Sequence, residues 1–298
     1  MQQKAPRSKT RAWVEAMRLR TLPVSVAGVF AGWGCAAFYD SFRPLPALIC
    51  LLFAITAQIS SNFANEYYDY ANGLDKKGRE GFRRGVTEGD LSPRAMKHAT
   101  YTLLLFDCLL GCSLIIWGGL WLVPVGILIA IFAVCYSTGP YPLSHHGLGD
   151  LAVIIFFGFV PVAFTTYVQT QIWDWHSIAI PISLAIGLLG ANVLIVNNYR
   201  DMDDDLAVGK KTTVVIFGRK AMGTVYLLNG ILALALIAWA LSPYRSAIWL
   251  MAEAILLAML LFLHHLLITR RGSALNPVLG QTAMFLLLTS AGLLITLV

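Results

Sequence analysis

The chain has 298 residues, of which 57% are hydrophobic and 13% charged, with a net charge of +6 and a mean hydropathy of +0.68. Soluble domains carry about 25% charged residues, so this composition excludes a soluble globular protein, a disordered chain and a basic nucleic-acid-binding domain together. What remains is a protein that crosses a lipid bilayer several times, with no nucleic-acid partner, whose positive charge has to be read by position.

Residues 1–20 are polar and basic, and the stretch around Trp13 to Arg20 has the pattern of an amphipathic helix lying on a membrane surface. A hydrocarbon core of about 30 Å takes roughly 20 apolar residues per helix. Nine such stretches follow, at about 21–39, 46–67, 96–117, 120–137, 149–170, 177–198, 220–241, 246–268 and 277–298. The expected fold is therefore all-α, a polytopic bundle of nine transmembrane helices forming one domain over residues 1–298. Lysine and arginine alternate between its loops. The N-terminal segment holds six, the 2–3 loop seven, the 6–7 loop with its helix ends five, and the 8–9 loop two, leaving Arg43 and Arg245 on the opposite side. Twenty against two predicts a cytoplasmic N-terminus and an external C-terminus, in the inner membrane of a cell. The five cysteines, Cys35, Cys50, Cys108, Cys112 and Cys135, all fall in apolar stretches. They are expected to be buried small hydrophobes, not disulfide partners or metal ligands.

Two cytoplasmic loops are long and charged, at about 68–95 and 199–219, and each begins with a polar ladder at the end of a span. Asn65 and Asp69 are four residues apart and share a helical face, as do Asn197, Asp201 and Asp205 over two turns. The ladders begin four spans apart, so both lie on one side of the membrane and can face one another across two halves, spans 1–4 and 5–8, with span 9 added. Acids stacked on one helix face repel, and a divalent cation offsets that repulsion. Carboxylate and carboxamide oxygens suit Mg²⁺, with Mn²⁺ as an alternative, and not zinc. Basic residues follow each ladder: Lys76, Lys77, Arg79, Arg83 and Arg84 after Asp75, then Lys210 and Lys211 after Asp205. Acids that hold Mg²⁺ beside cations that clamp phosphate suit a diphosphate, and the adjacent bilayer suits a long hydrocarbon tail. The substrate class this suggests is a polyprenyl diphosphate. A secondary transporter is the rival reading, but transporter sites lie near the bilayer midplane, whereas these acids gather at one face.

The Asn65-x₃-Asp69-x₅-Asp75 pattern and the Asn197-x₃-Asp201-x₃-Asp205 ladder resemble the two aspartate-rich motifs of the UbiA superfamily of intramembrane prenyltransferases. Four stretches are similar to one branch of it, the 1,4-dihydroxy-2-naphthoate polyprenyltransferases of menaquinone biosynthesis. They are Arg18-Leu19-Arg20-Thr21-Leu22-Pro23, Ser61 to Asp69, His146-Gly147-Leu148-Gly149-Asp150, and Asn197 to Asp201 leading to Gly209-Lys210-Lys211-Thr212. The resemblance implies Mg²⁺-dependent transfer of a polyprenyl group to an aromatic acceptor, with loss of CO₂, giving demethylmenaquinone. It implies metal ligation by Asn65, Asp69, Asp201 and Asp205, and diphosphate binding by Asp75, Lys76, Arg79, Arg84, Asn197 and Lys211. Tyr136 is expected to stabilise an allylic cation or orient the acceptor, and Asp150 and Tyr141 to contact the acceptor. Acceptors of the 4-hydroxybenzoate or homogentisate type are the alternatives within the superfamily. His145 and His146 are expected to be solvated loop residues, and Asp107 and Glu253 stand as intramembrane acids without a role.

Overall fold

The computed structural model describes residues 7–75, 77, 83–136, 138–173, 178–244 and 246–298. Among them the regular structure is helical: α1 (Lys9–Ala16), α2 (Leu22–Phe38), α3 (Pro44–Ala71), α4 (Gly85–Glu88), α5 (Pro93–Gly118), α6 (Leu122–Cys135), α7 (Gly149–Val153), α8 (Val160–Thr170), α9 (Ala179–Ala207), α10 (Thr213–Ala240), α11 (Ala247–Thr269) and α12 (Asn276–Leu297). Among the described residues eight helical segments are long and apolar enough to cross a membrane, and α6 is a shorter apolar helix beside them. At 14 residues, α6 rises only about 21 Å, less than the stretch expected over 120–137. The chain is a multi-pass membrane protein.

Buried α9 packs against α2, α10 and α12, and α12 packs along α2, so the last helix closes on the first long apolar one. Small residues set the approach of α2 to α8. Gly28 and Gly32 form a Gly-x₃-Gly stripe, and a Cβ on either would fall 2.5 Å from Pro161 Cγ or 2.7 Å from Thr165 Cβ. Helices in lipid associate through such backbone contact, because apolar side chains gain nothing by leaving apolar solvent. Residues Ile154–Phe159 form a π-helical turn between α7 and α8. Pro161 follows it at the start of α8 and has no N–H for the preceding carbonyls, so the ladder slips there.

Helix ends depart from the expected span ends, and the departures matter for the site. Hydropathy reports the bilayer, whereas helices α3 and α9 run on beyond their apolar stretches to Ala71 and Ala207. Both ladders therefore sit on rigid helix, and much of what the composition marks as loop is helical. Gly209 (φ +74) supplies the left-handed residue that ends α9, and the Lys210 N–H bonds back to the Asp205 carbonyl at 2.9 Å. Helix α10 is capped by the Thr212 hydroxyl, which accepts from the Val215 N–H, and breaks at Gly218, just before the span expected from 220.

The surface helix also differs from expectation. Helix α1 lies at Lys9–Ala16 and buries Ala12 and Ala16 with Phe63, Val86, Leu91 and Met96. Trp13 packs on Phe63 with ring centroids 5.4 Å apart. Its apolar face is thus covered by protein. Cysteines 35 and 50 are buried as expected, but Cys135 is only half-buried, and Cys108 and Cys112 are exposed on α5.

Candidate active site

The polar ends of α3 and α9 meet at one chamber of about 150 Å³. Asn62 and Asn65 enter it from α3, and Asn197, Asn198 and Asp201 from α9. Arg18, Arg84, Arg200 and Lys210 bring positive charge to its wall. Asp69 and Asp205 are buried at 3% and 4% exposure without lining the chamber. The helical spacing therefore holds: Asp201 and Asp205 face inward, while Asp203 points out and pairs with Arg219 at 2.9 Å.

Arginines bind the first ladder together. Arg84 donates to Asn65 Oδ1 at 2.8 Å and to Asp69 Oδ2 at 3.4 Å, with its Nε 3.3 Å from Asp75. Arg18 reaches the same Asn65 oxygen at 2.8 Å from a left-handed backbone (φ 52, ψ 54). A non-glycine residue is strained there by about 1–2 kcal/mol, and the strain aims the guanidinium. Asp75 lies beyond the end of α3 and is not part of the helical ladder. On the second ladder Arg200 forks onto Asp201 at 2.7 and 2.8 Å and also donates to Asn197 at 2.8 Å and Asn276 at 2.9 Å.

Two expected residues are displaced by their neighbours. Lys210, 3.8 Å from Asp205, lines the chamber; Lys211 is exposed, and its N–H bonds the His145 carbonyl at 3.2 Å instead. Glycine at 209 turns the chain so that consecutive lysines face opposite ways. Tyr141 is also excluded from the chamber, being 56% exposed and stacked on His146 with centroids 3.7 Å apart. Conversely, His145 is no solvated loop residue: its Nε2 is 3.8 Å from Asp69 Oδ1, and its side chain is 13% exposed. Lys76 and Arg79 lie outside the described residues. Sequence spacing gave no cue for Arg18, Ser144 or Asn198 as chamber residues, nor for His145 beside Asp69, because folding brings Arg18, Ser144 and His145 from distant segments.

Tyr136 and Asp150 do line the chamber. Asp150 accepts from Thr213 Oγ1 at 2.5 Å. Gln58, Ser61, Phe132 and Phe157 line this chamber and also a second, apolar cavity of about 390 Å³. That cavity lies among α2, α3, α5, α6 and α8, and one buried acid, Asp107, is part of its wall. Asp107 accepts hydrogen bonds from Thr56 and, at 2.9 Å, from Ser60, so it ties α5 to α3. A small polar chamber thus adjoins a larger apolar one through these shared wall residues.

Among the described residues no three His, Cys, Asp or Glu side chains gather closely enough to hold a metal ion by themselves. The donor set still fits Mg²⁺. Asp69 Oδ1 is buried without a hydrogen-bond partner, and Mg²⁺ is usually held by one or two carboxylates plus substrate phosphates, not by an all-protein cage.

Residues 25–289 match the model of the UbiA prenyltransferase family. The chain is 35% identical to a 1,4-dihydroxy-2-naphthoate octaprenyltransferase of Haemophilus influenzae, over 96% of this chain and 97% of that protein. It is 37% identical to the Escherichia coli protein of the same name, over 71% and 70% of the two. A solved UbiA homologue from Archaeoglobus fulgidus, bound to DMAPP and Mg²⁺, has the same fold at 15% identity, with a TM-score of 0.65 over 94% of this chain and 99% of that one. With the two ladders on one chamber and a family match across nearly its whole length, the chain belongs to the UbiA prenyltransferase family.

Proposed function

We propose that the chain transfers a polyprenyl group from its diphosphate to 1,4-dihydroxy-2-naphthoate, with release of CO₂ and diphosphate, in menaquinone biosynthesis. The observation that carries this reading is the joined pair of chambers, one polar and cationic, the other apolar and more than twice as large. An amphiphile with an anionic head and a long apolar tail fits that pair. The naphthoate acceptor follows from the relatives of that name.

Each group then has a task. Asn65 and Asp69 from α3, with Asp201 and Asp205 from α9, would hold Mg²⁺, which when bound neutralises charge developing on the leaving diphosphate. Arg18, Arg84 and Lys210 would donate to the diphosphate oxygens, and Asn197 would orient Arg200 beside Asp201. The tail lies in the apolar cavity, which is too small for a long polyprenyl chain, so the remainder extends toward lipid past the exposed α5–α6 wall. Enclosure by membrane and protein keeps water from quenching the allylic cation. Tyr136, on the wall of the polar chamber, would present an electron-rich ring to that cation. The asymmetry of basic residues supports a polar chamber on the cytoplasmic side of the inner membrane.

Expression in a bacterial strain lacking its own naphthoate prenyltransferase tests the reading. Menaquinone should return. Absence of menaquinone with prenylated 4-hydroxybenzoate or homogentisate in its place would assign a different acceptor.

A further inference from the structure

We propose that Asp150 accepts the proton of the acceptor's ring hydroxyl, with Ser144 hydrogen-bonding the same molecule. The inference rests on the reading of the chain as an aromatic prenyltransferase. Asp150 is the second residue of α7 and lines the polar chamber. Its Oδ2 accepts from Thr213 Oγ1 at 2.5 Å, whereas its Oδ1 is buried and has no hydrogen-bond partner. A buried carboxylate oxygen left without a donor is costly, so its position calls for a donor from a ligand.

Among the described residues the cations do not supply that donor. No ion pair among them includes Asp150; Arg84 pairs instead with Asp69 and Asp75, Arg200 with Asp201, and Lys210 with Asp205. The diphosphate is an anion without donors and is repelled by a carboxylate. A phenolic hydroxyl has the required character: one donor on a flat apolar body. Ser144 Oγ is likewise buried, without a partner, and on the wall of the same chamber. Its hydroxyl is suited to donate to the acceptor's carboxylate. Tyr136 connects the two positions. Its carbonyl accepts the Ser144 N–H at 3.0 Å, and its hydroxyl stands 3.5 Å from where a Cβ on Gly149 would lie. Glycine at 149 keeps that approach open.

The step balances without a further reactant. The hydroxyl O–H bond breaks and its proton passes to Asp150 Oδ1, while the ring carbon bearing the carboxylate bonds to prenyl C1. The C1–O bond breaks and its electron pair leaves on the diphosphate. The ring oxygen is then a ketone β to the carboxylate, so the C–CO₂ bond breaks, its electrons restore the aromatic ring, and Asp150 returns the proton to the oxygen. A general base of this kind contributes about 10²–10⁴-fold.

The test compares wild type with Asp150→Asn, which keeps the Thr213 hydrogen bond, and with Thr213→Val. Three quantities are read: kcat/KM for 1,4-dihydroxy-2-naphthoate, binding of labelled polyprenyl diphosphate with Mg²⁺, and use of the acceptor's hydroxyl methyl ether. Asp150→Asn should lower acceptor kcat/KM by at least about 10²-fold while diphosphate binding, which also reports folding, is unchanged. Thr213→Val should give a smaller loss in the same direction. The methyl ether should be a poor substrate for wild type, and Asp150→Asn should reduce its use little further. Unchanged acceptor kinetics in Asp150→Asn, or an equal loss of diphosphate binding, would overturn the assignment. Failure of wild type with every aromatic acceptor would instead overturn the prenyl-transfer reading itself.

Discussion

Asp201 and Asp203 are two residues apart on α9 and point to different solvents: Asp201 is 2% exposed in the fork of Arg200, and the Asp203 side chain is 80% exposed beside Arg219. Two residues on a helix turn through about 200°, so the sequence spacing was sufficient to separate them. Asp201→Ala should cost at least about 10²-fold in transfer rate, and Asp203→Ala should stay within a few-fold of wild type in the same initial-rate assay. The adjacent lysines divide as sharply. Lys210→Ala should raise the KM for polyprenyl diphosphate by about tenfold, the loss of one charge-assisted contact, with Lys211→Ala nearly silent. Equal effects at 210 and 211 would remove the chamber's assignment of the cation. Here spacing alone misled, because the left-handed Gly209 decides which lysine turns inward. Arg18 and His145 were illegible for a different reason. Each meets the first ladder from a remote segment, Arg18 from 47 positions away, and periodicity carries no information about such meetings.

At the scale of elements, the segment 83–91 shows how a loop read only as charged becomes part of the site. Arg84 has extended backbone (φ −96, ψ 105), in which neighbouring side chains face opposite ways. Arg84 therefore turns in to Asn65 and Asp69 while Arg83 turns out to Asp90, at 2.7 and 3.2 Å. The Arg7 N–H, just ahead of α1, donates to Asp90 as well, and the Val86 N–H bonds Glu66 of α3 at 3.0 Å, so the segment is clasped from both sides. The hydrogen-bonded Arg83 guanidinium holds the Asp90 carboxyl below the usual carboxylate range. A depressed folded pKa gives stabilisation that is complete above the unfolded value, near 3.9, and is lost as pH falls through the folded one. Hydrogen exchange at residues 84–91 should accordingly be flat from neutral pH down to about pH 4, after correction for intrinsic rates, and accelerate below it. Asp90→Asn should exchange faster at neutral pH and lose that acid transition. An unchanged transition in Asp90→Asn would place the clasp elsewhere. The sequence showed the basic run but not its alternation, since backbone conformation in a loop follows from what it packs on.

Over the whole molecule, hydropathy located the membrane segments well, because apolar length is what a bilayer reads. It could not show that α3 and α9 continue as rigid helix to Ala71 and Ala207, nor that α1 packs on protein. The joined chambers were also beyond it, since their walls come from helices far apart in the chain. The orientation drawn from twenty basic residues against two has a direct check. An alkaline phosphatase fused after Val298 should be active outside the cytoplasm, and the same reporter fused before Met1 should be inactive; the reverse pattern would put the chamber on the other face.

The central claim is that one chamber uses Mg²⁺ and both ladders to move a polyprenyl group onto a carboxylated dihydroxynaphthalene. It is tested most directly with the purified protein in lipid, supplied with polyprenyl diphosphate and acceptor labelled in its carboxyl carbon. Labelled CO₂ and prenylated dihydroxynaphthalene should form in equal amounts, stop with excess chelator and resume with Mg²⁺. A prenylated product that keeps the label, or undiminished transfer in chelator, would contradict the account.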